Sequence, residues 1–481
     1  MRARTASRHA LWRAAVSLAT LTLAGCMSLA PSYERPPAPV PDQFPAPAAT
    51  AGSPAATDIA WRDFFADARL RSLIDLALAN NRDLRVATLN VERARALYQV
   101  QRGALFPSVN AVGAGSTQRV PEDLSSSGRA FISRSVSANI AVTAYELDLF
   151  GRVRSLNAQA LQQYFATDES RRAAQIGLVS EVAGAWLTLA TDLERLQLAE
   201  QTLKAQARAY ELVKRSNELG VASALDLRQA QVTLETARAD AARIGSQVAQ
   251  DRNALALLAG APVPAALEPD VPLAAGIARV ADLAAGVPSE VLLRRPDVRA
   301  AERSLQAANA SIGAARAAFF PRITLTGSAG SASTQLDGLF DGGSRAWSFV
   351  PQITLPIFTG GANRANLAAA KVDREIALAR YEKAIQVAFR EVADALAQRA
   401  TLSEQFAAQQ ALVEALADAL KLAQARFERG VDSYLQVLDA QRQLYAAQQG
   451  LVALRLARDA NLVTLYKALG GGGPTDERDH G

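Results

Sequence analysis

Histidine is almost absent from this chain. Of 481 residues only His9 and His480 are histidines, one inside a basic leader and the other next to last. With none in the body of the chain, a histidine general base, a Ser-His-Asp triad and a His-ligated metal all become poor readings. Cysteine is scarcer still. Cys26 stands alone, so no intrachain disulfide can form and no cysteine cluster can hold a metal. The methionines are Met1 and Met27 only, which leaves none in the body of the chain as a soft ligand for copper or silver ions. No GxxxxGK[ST] motif occurs, so the chain does not bind a nucleotide through that loop. An excess of positive charge is also missing once the leader is set aside. The formal charge is +5, but Arg2, Arg4, Arg8 and Arg13 precede any acid, and without them 48 basic residues face 47 acidic ones. The balance gives no reason to expect a nucleic-acid partner.

The leader has a recognisable grammar. An arginine-rich start is followed by Ala14 to Ala24, a short apolar run of small residues, too short to remain as a spanning helix. It reads as a signal peptide over 1–25. From Pro31 to Pro54 the chain carries eight of its twenty prolines, the composition of an extended tether without a core of its own. Ordered structure is expected to begin near Trp61.

The body is a duplication. Residues 83–107 match 297–321 without gaps at an offset of 214, with nine of 25 positions identical, ending in Phe106-Pro107 and Phe320-Pro321. Further on the offset becomes 210: Glu181-Val182-Ala183 recurs as Glu391-Val392-Ala393, Gly220-Val221 as Gly430-Val431, Ser223 as Ser433, and Gly260 as Gly470. The order is kept throughout. The division expected is therefore signal peptide 1–25, Pro-rich segment 26–60, repeat one 61–275, repeat two 276–470, and a disordered tail 471–481.

Each repeat predicts a helical stretch (63–105 and 290–318), two segments alternating with period two, and a long proline-free helical region. Val109 and Ala111, then Val136 to Val142, Ile323 and Leu325, and Ile353, Leu355 and Ile357 supply the apolar halves of four alternations. Each segment can reach the ~9–11 residues that cross a bilayer when tilted, although a half-buried sheet of a soluble sandwich alternates in the same way. No proline occurs from 122 to 261 or from 357 to 473. Val179, Val182, Trp186, Leu189, Leu193 and Leu196 are spaced as an a/d seam, repeated by Ile385, Phe389, Val392 and Leu396. A single helix over 152–218 would be ~100 Å long. Such a helix makes a tube, a stalk or a bridge. Each long region breaks once, at Gly220 and Gly430, where a left-handed glycine can end one helix and Ser223 or Ser433 can cap the next.

The chain resembles the TolC-like outer membrane factors, in particular the OprM-type (NodT-type) efflux outer membrane lipoproteins. The resemblance rests on Leu23-Ala24-Gly25-Cys26, which is similar to a lipobox, and on Glu146-Leu147-Asp148-Leu149-Phe150-Gly151. Arg295-Pro296-Asp297-Val298-Arg299, Leu355-Pro356-Ile357-Phe358, and Gly430-Val431-Asp432-Ser433-Tyr434-Leu435 through Asp439-Ala440-Gln441 belong to the same pattern. It implies a mainly α fold with a membrane β-barrel portion. Four strands per protomer would complete a trimeric 12-stranded barrel, continued by a long periplasmic α-helical barrel. It implies a passive exit duct of a tripartite efflux pump for drugs or small toxic compounds. The partners implied are a second and third copy, a periplasmic adaptor and an inner-membrane resistance-nodulation-division transporter, with outer membrane lipid around the barrel. Residue by residue it implies acylation of Cys26, a gate at Leu435 and Asp439, and adaptor contact at Gly220, Val221, Ser223, Gly430, Val431 and Ser433. In the TolC branch a tip acid matching Asp226 bonds to a tyrosine and an arginine. Phe427 and Asp432 stand at those places here, so that latch is not expected. Residues 261–289 would form a belt outside the tunnel. Three other readings are kept: a type I protein secretion channel, a periplasmic adaptor lipoprotein, and a carboxylate enzyme built on Glu146 and Asp148. Neither the resemblance nor the residues implies a cofactor.

Overall fold

The computed structural model describes residues 28–44, 59–271, 277–278 and 289–471. Cys26, the expected signal peptide, nearly all of the expected tail, and much of the expected belt lie outside those residues. Twelve elements follow in chain order. Helices α1 (Trp61–Phe64), α2 (Ala68–Asn80) and α3 (Arg82–Gly103) precede strands β1 (Val109–Val120) and β2 (Phe131–Leu147). Helices α4 (Arg152–Glu218) and α5 (Ala224–Ala259) close the first repeat. The second runs α6 (Pro296–Ala317), β3 (Arg322–Ser333), β4 (Arg345–Thr354), α7 (Ala362–Glu428) and α8 (Tyr434–Ala468). The duplication is visible in the lengths: α3 and α6 have 22 residues each, and α4 and α7 have 67 each.

These elements divide into two compact units, each drawing on both repeats. The first contains residues up to 37, 90–167 and 300–381; the second contains 38–89, 168–299 and 382 onward. The boundaries fall inside α3, α4, α6 and α7.

In the first unit the four strands form one antiparallel sheet in the order β1-β2-β3-β4, so the join between repeats is the β2–β3 ladder. Val109 faces Val142 across β1–β2, Leu147 faces Ile323 across β2–β3, and Ile323 faces Ile353 across β3–β4. A bulge between Val142 and Tyr145 puts Ala144 at a φ of 50°, and its N–H is donated to Thr326 Oγ1 at 3.2 Å. At Gly330 the neighbouring strand comes so near that a Cβ would lie 2.1 Å from the Ala138 carbonyl oxygen. β1 is exposed along all but its last residue and β4 along its whole length, with Ile132, Ile140, Trp347, Phe349 and Ile353 open to the surroundings. A sandwich would cover one face with a second sheet. Among the described residues no second sheet exists, and the sandwich alternative falls.

Three expectations need correction. Residues 63–105 are not one helical stretch: Asp67 accepts from the Arg69 and Leu70 amides, Asn81 accepts from that of Leu84, and each side chain starts a new helix. β4 stops at Thr354, whose partner Arg322 is the first residue of β3, leaving Leu355 and Ile357 beyond the ladder. Order also begins well before Trp61. Residues 28–37 are fastened along α6 by main-chain and side-chain contacts that composition does not reveal. Arg316 donates to the Leu29 carbonyl at 3.0 Å, Asn309 to that of Pro31 at 2.8 Å, and Tyr33 and Arg35 both bind Glu302. Gly313 is required there, since a Cβ would sit 2.8 Å from both the Ala30 nitrogen and its Cβ.

In the second unit the seam residues Val179, Val182, Trp186 and Leu189 are buried, as are Ile385, Val392 and Leu396. Leu193, Leu196 and Phe389 are only half-buried, Phe389 being stacked on Phe44 at 4.9 Å. Trp186 Nε1 donates to the Leu267 carbonyl at 3.0 Å, and Tyr466 stacks on Phe64 at 3.9 Å. Arg295 of the Arg-Pro-Asp-Val-Arg motif is buried and bridges Asp297, Glu391 and the Ala468 carbonyl. Burial, with the neighbouring Asp192, pushes the Asp251 carboxyl above the usual range. Its repeat counterpart is the uncharged Asn461, which donates to the Ala395 carbonyl.

Candidate functional site

The second unit carries both helical breaks. Gly220 and Gly430 take left-handed φ values of 76° and 73°, and open space surrounds the place of each missing Cβ. The turns are alike: Gly220 and Val221 donate to the Asn217 and Ser216 carbonyls, and Gly430 and Val431 to those of Phe427 and Arg426. Ser223 and Asp226 form a reciprocal capping box, with each side chain accepting the other's amide at 3.1 and 2.9 Å. Ser433 departs from expectation and makes no side-chain cap. Asp226 is replaced by Gln436, whose amide goes to the Ser433 carbonyl instead. With Asp226 occupied by its own cap, Asp432 pairs with Arg426 and Phe427 packs against Tyr434 at 5.1 Å. Val221 is 82% exposed and Val431 59%, which leaves two apolar side chains on the turns uncovered.

Leu435 and Asp439 lie one turn apart at the start of α8 and line the same groove, of about 840 Å³, together with Leu225, Val232, Leu438 and Tyr445. Asp439 is not a bare carboxylate. Arg442 donates to it at 2.6 Å and Gln443 at 2.7 Å, so each copy carries its own counter-charge. Within this groove α5 is tied to α8 by residues that the repeat pattern does not mark. The Tyr445 hydroxyl donates to Asp240, which also accepts from Arg243 at 2.6 Å, and Gln206 of α4 bonds to Gln441 at 2.9 Å. Burial would raise the Asp240 carboxyl, but the tyrosine hydroxyl and Arg243 outweigh it and hold the group below its ordinary value. Burial and then Asp240 push Tyr445 up to about 12. Sequence gave no signal for this tie, because the counterparts of Asp240 and Tyr445 are Gly450 and Glu235.

Glu146 and Asp148 belong to the first unit, where Glu146 binds Arg152 and Arg322 at 2.7 Å each and Asp148 binds Arg154. Both carboxylates are held by arginines at the strand–helix corner, which is what a structural pair requires. Among the described residues no group of three His, Cys, Asp or Glu side chains could hold a metal.

The Outer membrane efflux protein family profile matches residues 73–261 and 287–471, one match per repeat. The chain belongs to the outer membrane efflux protein family. The toluene efflux pump outer membrane protein TtgC and the antibiotic efflux pump outer membrane protein ArpC, both of Pseudomonas putida, are each 49% identical to it over 461 residues, covering 95% of either chain. The open-state outer membrane channel MtrE of Neisseria gonorrhoeae superposes with a TM-score of 0.83 at 42% identity, over 93% of this chain and 98% of that one. The outer membrane efflux protein described here is accordingly a channel of the outer membrane, the outermost component of a tripartite pump. Its four strands are the barrel portion of that fold and its long helices the tunnel portion.

Proposed function

We propose that three copies of this chain form a passive exit duct through which a periplasmic adaptor and an inner-membrane resistance-nodulation-division transporter expel small organic toxicants and antibiotics. One observation carries the reading: a four-stranded sheet with both edges open in an otherwise helical chain. Open edges are not tolerated in lipid, and β4 of one copy pairing with β1 of the next closes twelve strands after three steps. The relatives named for toluene and antibiotic efflux support organic cargo. The duct performs no chemistry of its own and takes its energy from the transporter. In this reading Cys26 is acylated, residues 61–275 and 276–470 are the two repeats, Leu435 and Asp439 narrow the closed tunnel, and the Asp240–Tyr445 tie keeps α5 and α8 in the closed arrangement. The turns at Gly220, Val221, Ser223, Gly430, Val431 and Ser433 meet the adaptor.

The docking role is tested with Val221→Trp and Val431→Trp, whose side chains enter open solvent and leave the glycine turns intact. Antibiotic resistance restored by the wild-type gene in a deletion strain should be lost with either variant while trimer level stays normal. Full resistance with both variants combined overturns adaptor contact at the turns.

A further inference from the structure

The duplication makes the join between repeats a template for the join between copies. Within the chain, Phe320 ends the α6–β3 corner and Phe150 ends the β2–α4 corner. Because β2 and β3 pair, the two rings stack at 4.7 Å with planes 21° apart. Each phenylalanine has a repeat counterpart. Phe320 corresponds to Phe106 at the α3–β1 corner, through the shared Phe-Pro. Phe150 corresponds to Phe358 at the β4–α7 corner at an offset of 208, through the Leu and Phe shared by Leu147-Asp148-Leu149-Phe150 and Leu355-Pro356-Ile357-Phe358; two added residues then restore the offset of 210 at Gly151 and Gly361. These counterparts flank the two open edges of the sheet, and the chain leaves both uncovered: Phe106 is 64% exposed and Phe358 90%. Large rings kept at matching corners and left bare in the single chain are what a rotated copy of the same join would cover.

We propose that Phe106 of one protomer stacks on Phe358 of the partner subunit, repeating between copies the Phe150–Phe320 stack made within each. The proposal rests on the trimer reading above and names one contact that seals its seam at the sheet–helix corner. The competing occupant of these rings is the lipid boundary, to which exposed aromatics are also suited.

The test is thiol crosslinking in outer membranes with a bifunctional methanethiosulfonate, comparing Phe106→Cys/Phe358→Cys with the internal pair Phe150→Cys/Phe320→Cys. The single variants serve as controls for Cys26. The first pair should give a covalent trimer on denaturing gels, the second only an intrachain link, and the single variants no ladder. A trimer by native mass spectrometry, with the internal pair linked and the first pair left monomeric, overturns the stack and assigns the rings to lipid. A monomer by native mass spectrometry overturns the trimer reading itself. A second measurement uses Phe106→Ala, Phe358→Ala and their combination. The double variant should lower the trimer dissociation temperature no further than the more damaging single variant, and fully additive drops contradict the contact.

Discussion

Replacing Tyr445 by phenylalanine removes one hydroxyl and keeps the ring that lines the groove. The hydroxyl donates to Asp240, a carboxylate whose side chain is one quarter exposed and which retains Arg243. Hydrogen bonds to charged groups contribute about 1.5–3 kcal/mol, and partial exposure with a surviving ion pair places this one near ~1.5 kcal/mol. If the tie favours the closed arrangement, each protomer shifts toward opening about tenfold. Three protomers opening together lose ~4.5 kcal/mol, roughly a thousandfold in the closed-to-open ratio. Single-channel recording in planar bilayers reads this directly as open probability, and uptake of a large antibiotic by intact cells reads it in vivo. Asp240→Asn should behave alike, and the double variant should add little to either single one. The pH dependence follows from the shifts. Asp240 titrates below its ordinary range, so its contribution is present above pH ~4 and is lost only as pH falls through the lowered value. Tyr445 is raised to about 12, so its contribution is full below pH ~10 and is lost as pH rises through 12. The tie therefore holds across the whole periplasmic range. A well-assembled Tyr445→Phe trimer with unchanged open probability and unchanged antibiotic entry would refute the reasoning.

The remaining predictions are two. Leu435→Ala combined with Asp439→Ala should raise single-channel conductance and admit large antibiotics, and unchanged conductance in a folded trimer would move the constriction elsewhere. Intact-mass spectrometry of membrane-extracted protein should show a chain beginning at Cys26 with a lipid adduct, whereas a different mature N-terminus with a free thiol would remove the lipoprotein assignment.

What the sequence disclosed followed from how local each signal was. Period-two alternation and heptad spacing are written within a few residues, so the four strands and the seam around Val182 and Trp186 were legible. Gly220 and Gly430 punctuated the hairpins because a positive φ selects for glycine. Helix α4 was bounded correctly at Arg152 and Glu218, between Gly151 and the turn at Gly220. The docking of residues 28–37 was illegible for the opposite reason. Its recognition runs partly through the main-chain carbonyls of Leu29 and Pro31, which leave no residue pattern, and partly through Tyr33 and Arg35, whose partner Glu302 is far away in sequence. The Asp240–Tyr445 tie joins positions 205 apart with no echo in the other repeat. Ser433 misled because its repeat relationship to Ser223 was real, while the partner that completes the cap, Asp226, had changed to Gln436.

The fastening of the amino-terminal segment has a consequence for how the protein matures. Leu29, Pro31 and Arg35 are synthesised early, yet their partners on α6 follow 267 to 287 residues later. At a synthesis rate of about 5–20 residues per second, the segment waits on the order of tens of seconds for its binding helix. Closing so long a loop adds only a slowly growing entropic cost, so the delay is one of order rather than of stability. A chain interrupted anywhere before Pro296 would leave this segment unfastened and open to periplasmic proteases. Docking of the first residues thus waits on α6, the opening helix of the second repeat.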